Sequence, residues 1–272
     1  MNESSRGKPE QALAAPSQIA EALAALRART PARLVVGRAG PAYRTETQLE
    51  LREDHAIAVD AVQTEMDLAR DFGALFVGQR MLFEVATHAH DKAEFLKRPQ
   101  LGRKFSPDGR AMLEKRCPKD VDLQIVLGDG LSAAALAAQV PELLPLLERG
   151  ATERGWTLGQ TFAVRHCRVA ILNDVGAILR PRVAILLIGE RPGLATAESL
   201  SAYMAYRPQA GHTDAERNLI SNIHARGVPP EQAAVRVLAL ADQMVAQETS
   251  GVAIKEQLAV SLPGSGQARI GE

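Results

Sequence analysis

Residues 183–193 read VAILLIGERPG, an unbroken apolar run of six residues that stops at a glycine, an acid, a base, a proline and a second glycine. A run this short, rich in Val, Ile and Leu and closed by turn formers, reads as a strand buried on both faces. Upstream, LQIVL (Leu123 to Leu127) has the same character and runs into GDGLS (Gly128 to Ser132), where Ser132 is placed to cap a helix. Leu143, Leu144, Leu146 and Leu147 form a helical apolar stripe that stops near Gly150 and Gly155. Further strands are expected at Phe162–Val164, Val169–Leu172 and Val175–Leu179, and Tyr203 and Tyr206 lie in strand-like sequence. Pro229-Pro230-Glu231 opens a long helix with Ala234, Val237, Leu238, Ala241 and Val245 on one face, and Gly251 is placed to cap it. Alternating strand and helix signals predict an α/β fold, with a Rossmann-like, largely parallel sheet flanked by helices.

The part before this domain reads differently. Residues 1–16 are polar and small and are expected to be a flexible tail. Ile19, Leu23 and Leu26 recur at helical spacing up to Thr30-Pro31. From there to residue 116, helical stretches are broken by GRAGP (Gly37 to Pro41) and KRPQLGRKFSPDG (Lys97 to Gly109). The expected organisation is a small, mainly helical domain over 17–116 with interface loops, an α/β domain over 117–262, and a frayed terminus over 263–272.

Composition narrows the function classes. Thirty-two basic residues balance 32 acidic ones, so no net field gathers nucleic acid or an anionic membrane. Two cysteines, Cys117 and Cys167, fall short of a disulfide framework and favour a reducing compartment. No apolar run is long enough to span a membrane, and the first residues lack the order of a secretory signal, so a soluble, unsecreted protein is expected.

Ligands of open α/β sheets sit outside the carboxyl ends of the strands, which draws attention to GDGLS and to GERPG. GDGLS lacks both the Rossmann glycine spacing and the Walker lysine, so it reads as a capped turn rather than a phosphate cradle. In GERPG, Glu190 and Arg191 can meet donors and acceptors of a polar ligand, or can pair with each other on a solvated turn. His88, His90 and Asp91 (HAHD) read as surface residues, because residues two apart on a helix point to different faces. His166 and Cys167, adjacent on a strand, face opposite sides and form no dyad, which leaves Cys167 as core or interface. His224 and Trp156 read as a structural hydrogen-bonding residue and a packing residue; His224 is also near enough to help line the crevice.

GRAGP with Arg44-Thr45, DHAIAVDAV (Asp54 to Val62), RPQLGR (Arg98 to Arg103), GDGLS, ILLIGERPGL, ESLSAY and LISNIHARGVPP together resemble the small (light) subunit of ethanolamine ammonia-lyase, from about Ile19 to Gly251. The resemblance implies a subunit of a hetero-oligomeric carbon–nitrogen lyase that turns ethanolamine into acetaldehyde and ammonia by radical chemistry on adenosylcobalamin (coenzyme B12). It implies as partner a large catalytic subunit, a TIM-type barrel that holds the substrate, with no nucleic acid and no membrane. Carried over residue by residue, the cobalamin contacts fall on Val169, Glu190 and Leu219, with no catalytic residue and no metal ligand in this chain. Some relatives have cysteine at the position of Leu219, so contact there is expected to be apolar or through the backbone. The implied location is a bacterial microcompartment or the cytoplasm. An independent Rossmann-like nucleotide-binding enzyme and a non-catalytic structural subunit are the alternatives.

Overall fold

The computed structural model describes residues 16–28, 34, 36–193 and 196–256. Of the tail expected over 1–16, residues 1–15 lie outside the described residues, as does the frayed terminus over 263–272, while Pro16 opens the first helix. The chain starts with α1 (Pro16–Ala28), a small hairpin β1 (Arg38–Ala39) and β2 (Ala42–Tyr43), α2 (Thr45–Gln63), α3 (Leu68–Phe72) and α4 (Ala74–Gln79). Next come β3 (Glu84–Ala86), α5 (Lys92–Lys97), α6 (Pro107–Arg116), β4 (Leu123–Gly128), α7 (Ala133–Glu153), β5 (Phe162–Arg165) and α8 (Ile171–Leu179). Strands β6 (Val183–Gly189), β7 (Leu200–Tyr206) and β8 (Asn218–Ile223) and helix α9 (Pro230–Gln247) complete the order.

Six strands form one sheet in the order β3-β5-β4-β6-β7-β8. The first four run parallel, and β7 and β8 each run antiparallel to the strand before them. The α/β reading therefore holds, with an antiparallel extension on one side. Alternation along the two central strands sorts side chains into two cores. Leu123, Ile125 and Leu127 of β4 and Val183, Ile185 and Leu187 of β6 pack under α7 and α9. Val126 of β4 and Ala184, Leu186 and Ile188 of β6 pack on the other face with Phe162, Leu113 of α6 and Val175 of α8. Chain on both sides of residue 116 shares this second core, since Phe83, Val85 and Phe105 belong to it and β3 forms the sheet edge beside β5.

Several expectations need correction. Val169–Leu172 and Val175–Leu179 are not strands: from Ile171 the segment is α8, with Ile171, Leu172, Val175, Ile178 and Leu179 all buried. Those positions recur with helical spacing, and the short apolar segment conceals its period because nearly every side chain points into the core. Gly176 lets α8 lie directly on the Pro208 carbonyl, a place no Cβ could occupy. Gly251 is not the cap of α9; Glu248 ends that helix in a left-handed conformation (φ 52°), its N–H bonded to the Met244 carbonyl, while Gly251 opens a short 3-10 turn. HAHD is not helical either, and Asp91 caps α5 by accepting from the Glu94 N–H. No helix among the described residues is long and apolar enough to cross a membrane.

The Gly176 contact yields a stability test. Gly176→Ala forces a methyl group against main chain and is expected to cost about 2–3 kcal/mol. A urea midpoint indistinguishable from the parent would show that the 207–208 loop yields freely.

Candidate functional site

Connections from β4 and β5 leave the sheet on opposite faces, β4 into α7 and β5 into α8, so a crevice opens between their carboxyl ends. Three loops meet there, following β4, β5 and β6. The second of them is set by Asp129, which is fully buried. Its carboxylate accepts the N–H of His166 and the N–H of Cys167, both at 2.9 Å. The Lys92 ammonium of α5 stands 3.8 Å from the same carboxylate and donates to the Gly130 carbonyl at 3.4 Å. His166 consequently adopts a left-handed conformation (φ 56°), which turns the chain sharply after β5 and brings Arg168 and Val169 to the crevice. His166 and Cys167 thus lie in a turn beyond β5 rather than on a strand, and burial holds the Cys167 thiol far above its ordinary range.

GDGLS behaves as a capped turn. Ser132 accepts from the Ala135 N–H and donates to the Ala197 carbonyl, and the N–H groups of Asp129, Leu131 and Ser132 bond to carbonyls of the chain itself. No row of free amides is left there to cradle a phosphate.

Glu190, Val169 and Leu219 line one cavity of about 350 Å³, together with Ile188, Arg191 and Tyr203. The cavity lies where, among the described residues, β7 and β8 carry no helix on this face, and Leu219 is 45% exposed there. Glu190 is half-buried and does not pair with Arg191 among the described residues. Its carboxylate accepts from Ser199 Oγ (2.8 Å), Ser201 Oγ (2.5 Å) and the Asn222 N–H (3.0 Å). This ties β6, β7 and β8 together at the rim and leaves little acceptor capacity over. Asn222 is itself left-handed (φ 60°), a conformation asparagine tolerates better than most residues. Burial raises the Tyr203 phenol above its ordinary value, with Asp214 and Glu190 adding to the effect, so it stays a donor.

A second cavity of about 530 Å³ adjoins the first, sharing Arg168 and Val169 and adding Arg103, His212, Asp214 and Arg217. Arg217 is held by Asp214 at 2.6 Å and by Asn173 at 2.8 Å. Another cavity, of about 720 Å³, lies at the opposite end of the sheet, where its Asp120 and Asp122 are already matched by Arg180 and Arg182. It is at the wrong end of the strands for a ligand site of this fold class. His224 does not line the crevice. Its Nδ1 accepts from the Arg226 N–H, so Nε2 carries the proton and donates to Asn222 Oδ1 at 2.7 Å. Trp156 packs against the core beside α7.

Asp129, Ser199, Ser201 and Asn222 escape sequence reasoning as site residues. Asp129 sits inside GDGLS, but its partners are 37 and 38 positions away. ESLSAY contains both serines that grip Glu190, and alternation on a strand places Ser199 and Ser201 on one face, a signal that was available.

Asp129→Asn keeps the shape but removes the charge that two amides and Lys92 share. The loss is expected to be about 3 kcal/mol or more, as for a broken buried ion pair; a urea-denaturation loss under about 1 kcal/mol would mean the charge does not hold the turn. His224 gives a pH signature. Burial, then Arg226, lowers its imidazole below the ordinary 6.5, so its contribution to stability is complete above that value and is lost as pH falls through the folded value. Between about pH 7 and about pH 5 the parent should lose more stability than His224→Gln; parallel pH profiles would contradict this.

Comparison with known proteins bears on the same residues. Residues 20–255 match the family described as Ethanolamine ammonia-lyase light chain (EutC). An ethanolamine ammonia-lyase small subunit of Clostridium perfringens is 41% identical over 235 residues, covering 86% of this chain and 78% of the relative. One from Clostridioides difficile is 41% identical over 87% of this chain and 78% of its own length. One from Clostridium acetobutylicum is 39% identical over 86% and 95%. The crevice at the strand ends therefore belongs to a member of the ethanolamine ammonia-lyase light-chain family.

Proposed function

We propose that this chain is the small subunit of an adenosylcobalamin-dependent ethanolamine ammonia-lyase and that it closes one side of the cofactor against a larger, barrel-type catalytic subunit. The observation that carries the reading is the convergence of Val169, Glu190 and Leu219 on one cavity, although they come from three separate segments. When bound, adenosylcobalamin supplies the cleavable cobalt–carbon bond on which the radical deamination of ethanolamine depends.

The residues fit a broad ligand with apolar faces and amide arms. Leu219 and Val169 offer apolar surface, and the Tyr203 phenol offers a donor for an amide oxygen. Glu190, already gripped by two hydroxyls and an amide, braces the three strands that form the floor of the cavity and keeps at most one lone-pair direction for an amide N–H. The chain's contribution would be binding, orientation and exclusion of water. The place of work proposed is a bacterial microcompartment or the cytoplasm.

Leu219→Asp is the test that separates ligand contact from folding. Leu219 is exposed, so the melting temperature of the chain should stay within a few degrees, about the shift that 1 kcal/mol produces. In the complex reconstituted with the large subunit, cobalamin affinity should drop at least tenfold, about 1.4 kcal/mol. Unchanged affinity would remove the cavity from the cofactor site. Absence of acetaldehyde from the parent complex supplied with ethanolamine and adenosylcobalamin would overturn the function itself.

A further inference from the structure

The acids around the two joined cavities are spent within the chain, and three of the four arginines are not. Glu190 is taken by Ser199, Ser201 and Asn222, and Asp214 by Arg217. Arg103, Arg168 and Arg191, in contrast, have no carboxylate partner among the described residues. Arg168 stands at the seam of the two cavities, half-buried, its guanidinium 4.6 Å from the centre of the Phe95 ring. Arg191 lines one cavity and Arg103 the other. Burial pulls the Arg168 guanidinium below its ordinary range, and Arg191 and Arg103 add to the effect by repulsion.

Their proximity is built in. The Arg168 N–H bonds to the Gly102 carbonyl at 2.8 Å, and a Cβ at Gly102 would collide with the His166 carbonyl and the Phe95 ring. That close approach locks the RPQLGR loop onto the turn set by Asp129, placing Arg103 beside Arg168. Three like charges with no carboxylate in contact are an unfavourable arrangement, which the buried Asp129 offsets only at Arg168 and from a distance, and which a single bound anion would relieve. Planar guanidinia suit the paired oxygens of a phosphate.

We propose that Arg103, Arg168 and Arg191 form an anion subsite and that the group it takes is the phosphodiester of the cofactor's nucleotide loop. This rests on the cobalamin reading above. The corrin ring's side arms are neutral amides, so the phosphodiester is the anionic group the cofactor can bring to three unpaired guanidinia. A carboxylate of the large subunit is the competing source of charge, and the two differ in what they predict for a corrinoid without a nucleotide loop.

The experiment measures hydroxocobalamin and cobinamide binding, by spectral titration, to the complex reconstituted from the large subunit and this chain as parent, Arg168→Gln or Arg103→Gln. Arg103 is exposed, so its variant guards against a folding defect from loss of the Arg168 contact with Phe95. Loss of a charge-assisted hydrogen bond should weaken cobalamin binding about tenfold or more. Cobinamide binding should change less than about twofold. Equal weakening of both corrinoids, or of neither, overturns the subsite. Weaker association of the two subunits without discrimination between corrinoids also overturns it and assigns the charge to a partner carboxylate. If the parent complex binds neither corrinoid, the cobalamin reading falls and the subsite falls with it.

Discussion

A carboxylate with no exposure to water holds this crevice in shape. Asp129 would be prohibitive to bury alone, and its cost is offset by two main-chain N–H groups and the nearby Lys92 ammonium. The consequence reaches beyond electrostatics. Because both oxygens are pinned to consecutive amides, the chain leaving β5 must turn at once, and His166 takes a left-handed backbone that a non-glycine residue seldom adopts unaided. Arg168 and Val169 reach the crevice because of that turn. Lys92 extends the constraint to α5, and the Arg168 N–H to the RPQLGR loop, so three sequence-distant segments share one anchor.

Glu190 does a related job at the rim with a different balance. It is half-buried, and its donors are hydroxyls and an amide with no cation among them. It ties the ends of three strands beside water. With Asp129 inside and Glu190 at the rim both committed, the guanidinia of Arg103, Arg168 and Arg191 set the local sign of the crevice. A neutral chain overall thus presents a locally cationic mouth, which a count of 32 bases against 32 acids conceals.

The strands at the centre of the sheet were legible because each is an apolar run, interrupted in β4 by Gln124 alone, that ends in turn formers, and β4 and β6 are buried along their whole lengths. The same rule misread α8, since a nine-residue helix enclosed by core shows almost the same apolar density as a strand. Strand-end logic alone pointed to the loops carrying Gly130 and Glu190. Val169 and Leu219 came from the resemblance, because nothing in a single valine or leucine distinguishes ligand contact from core. What stayed hidden was pairing over distance: Asp129 with the 166–167 turn, Lys92 with Asp129, and Asn222 with Glu190. Local pattern carries no information about such contacts, which appear only when the sheet order is known.

That sheet order also explains why the crevice is open. Parallel strands need crossover helices, and these cover both faces of the β3-β5-β4-β6 half. At β6 the strand direction reverses, and β7 and β8 return without a crossover on the α8 face. In β8 Ile220 and Ile223 are buried under α9 while Leu219 and Ser221 face outward, the left-handed Asn222 and the irregular register with β7 breaking strict alternation and returning Ile223 to the inner face. The side of the sheet from which helices are missing is the side to which the β4, β5 and β6 loops bring their polar groups. A flat apolar floor and a cationic wall therefore adjoin as a consequence of topology, with Asp129 fixing the wall and Glu190 fixing the floor.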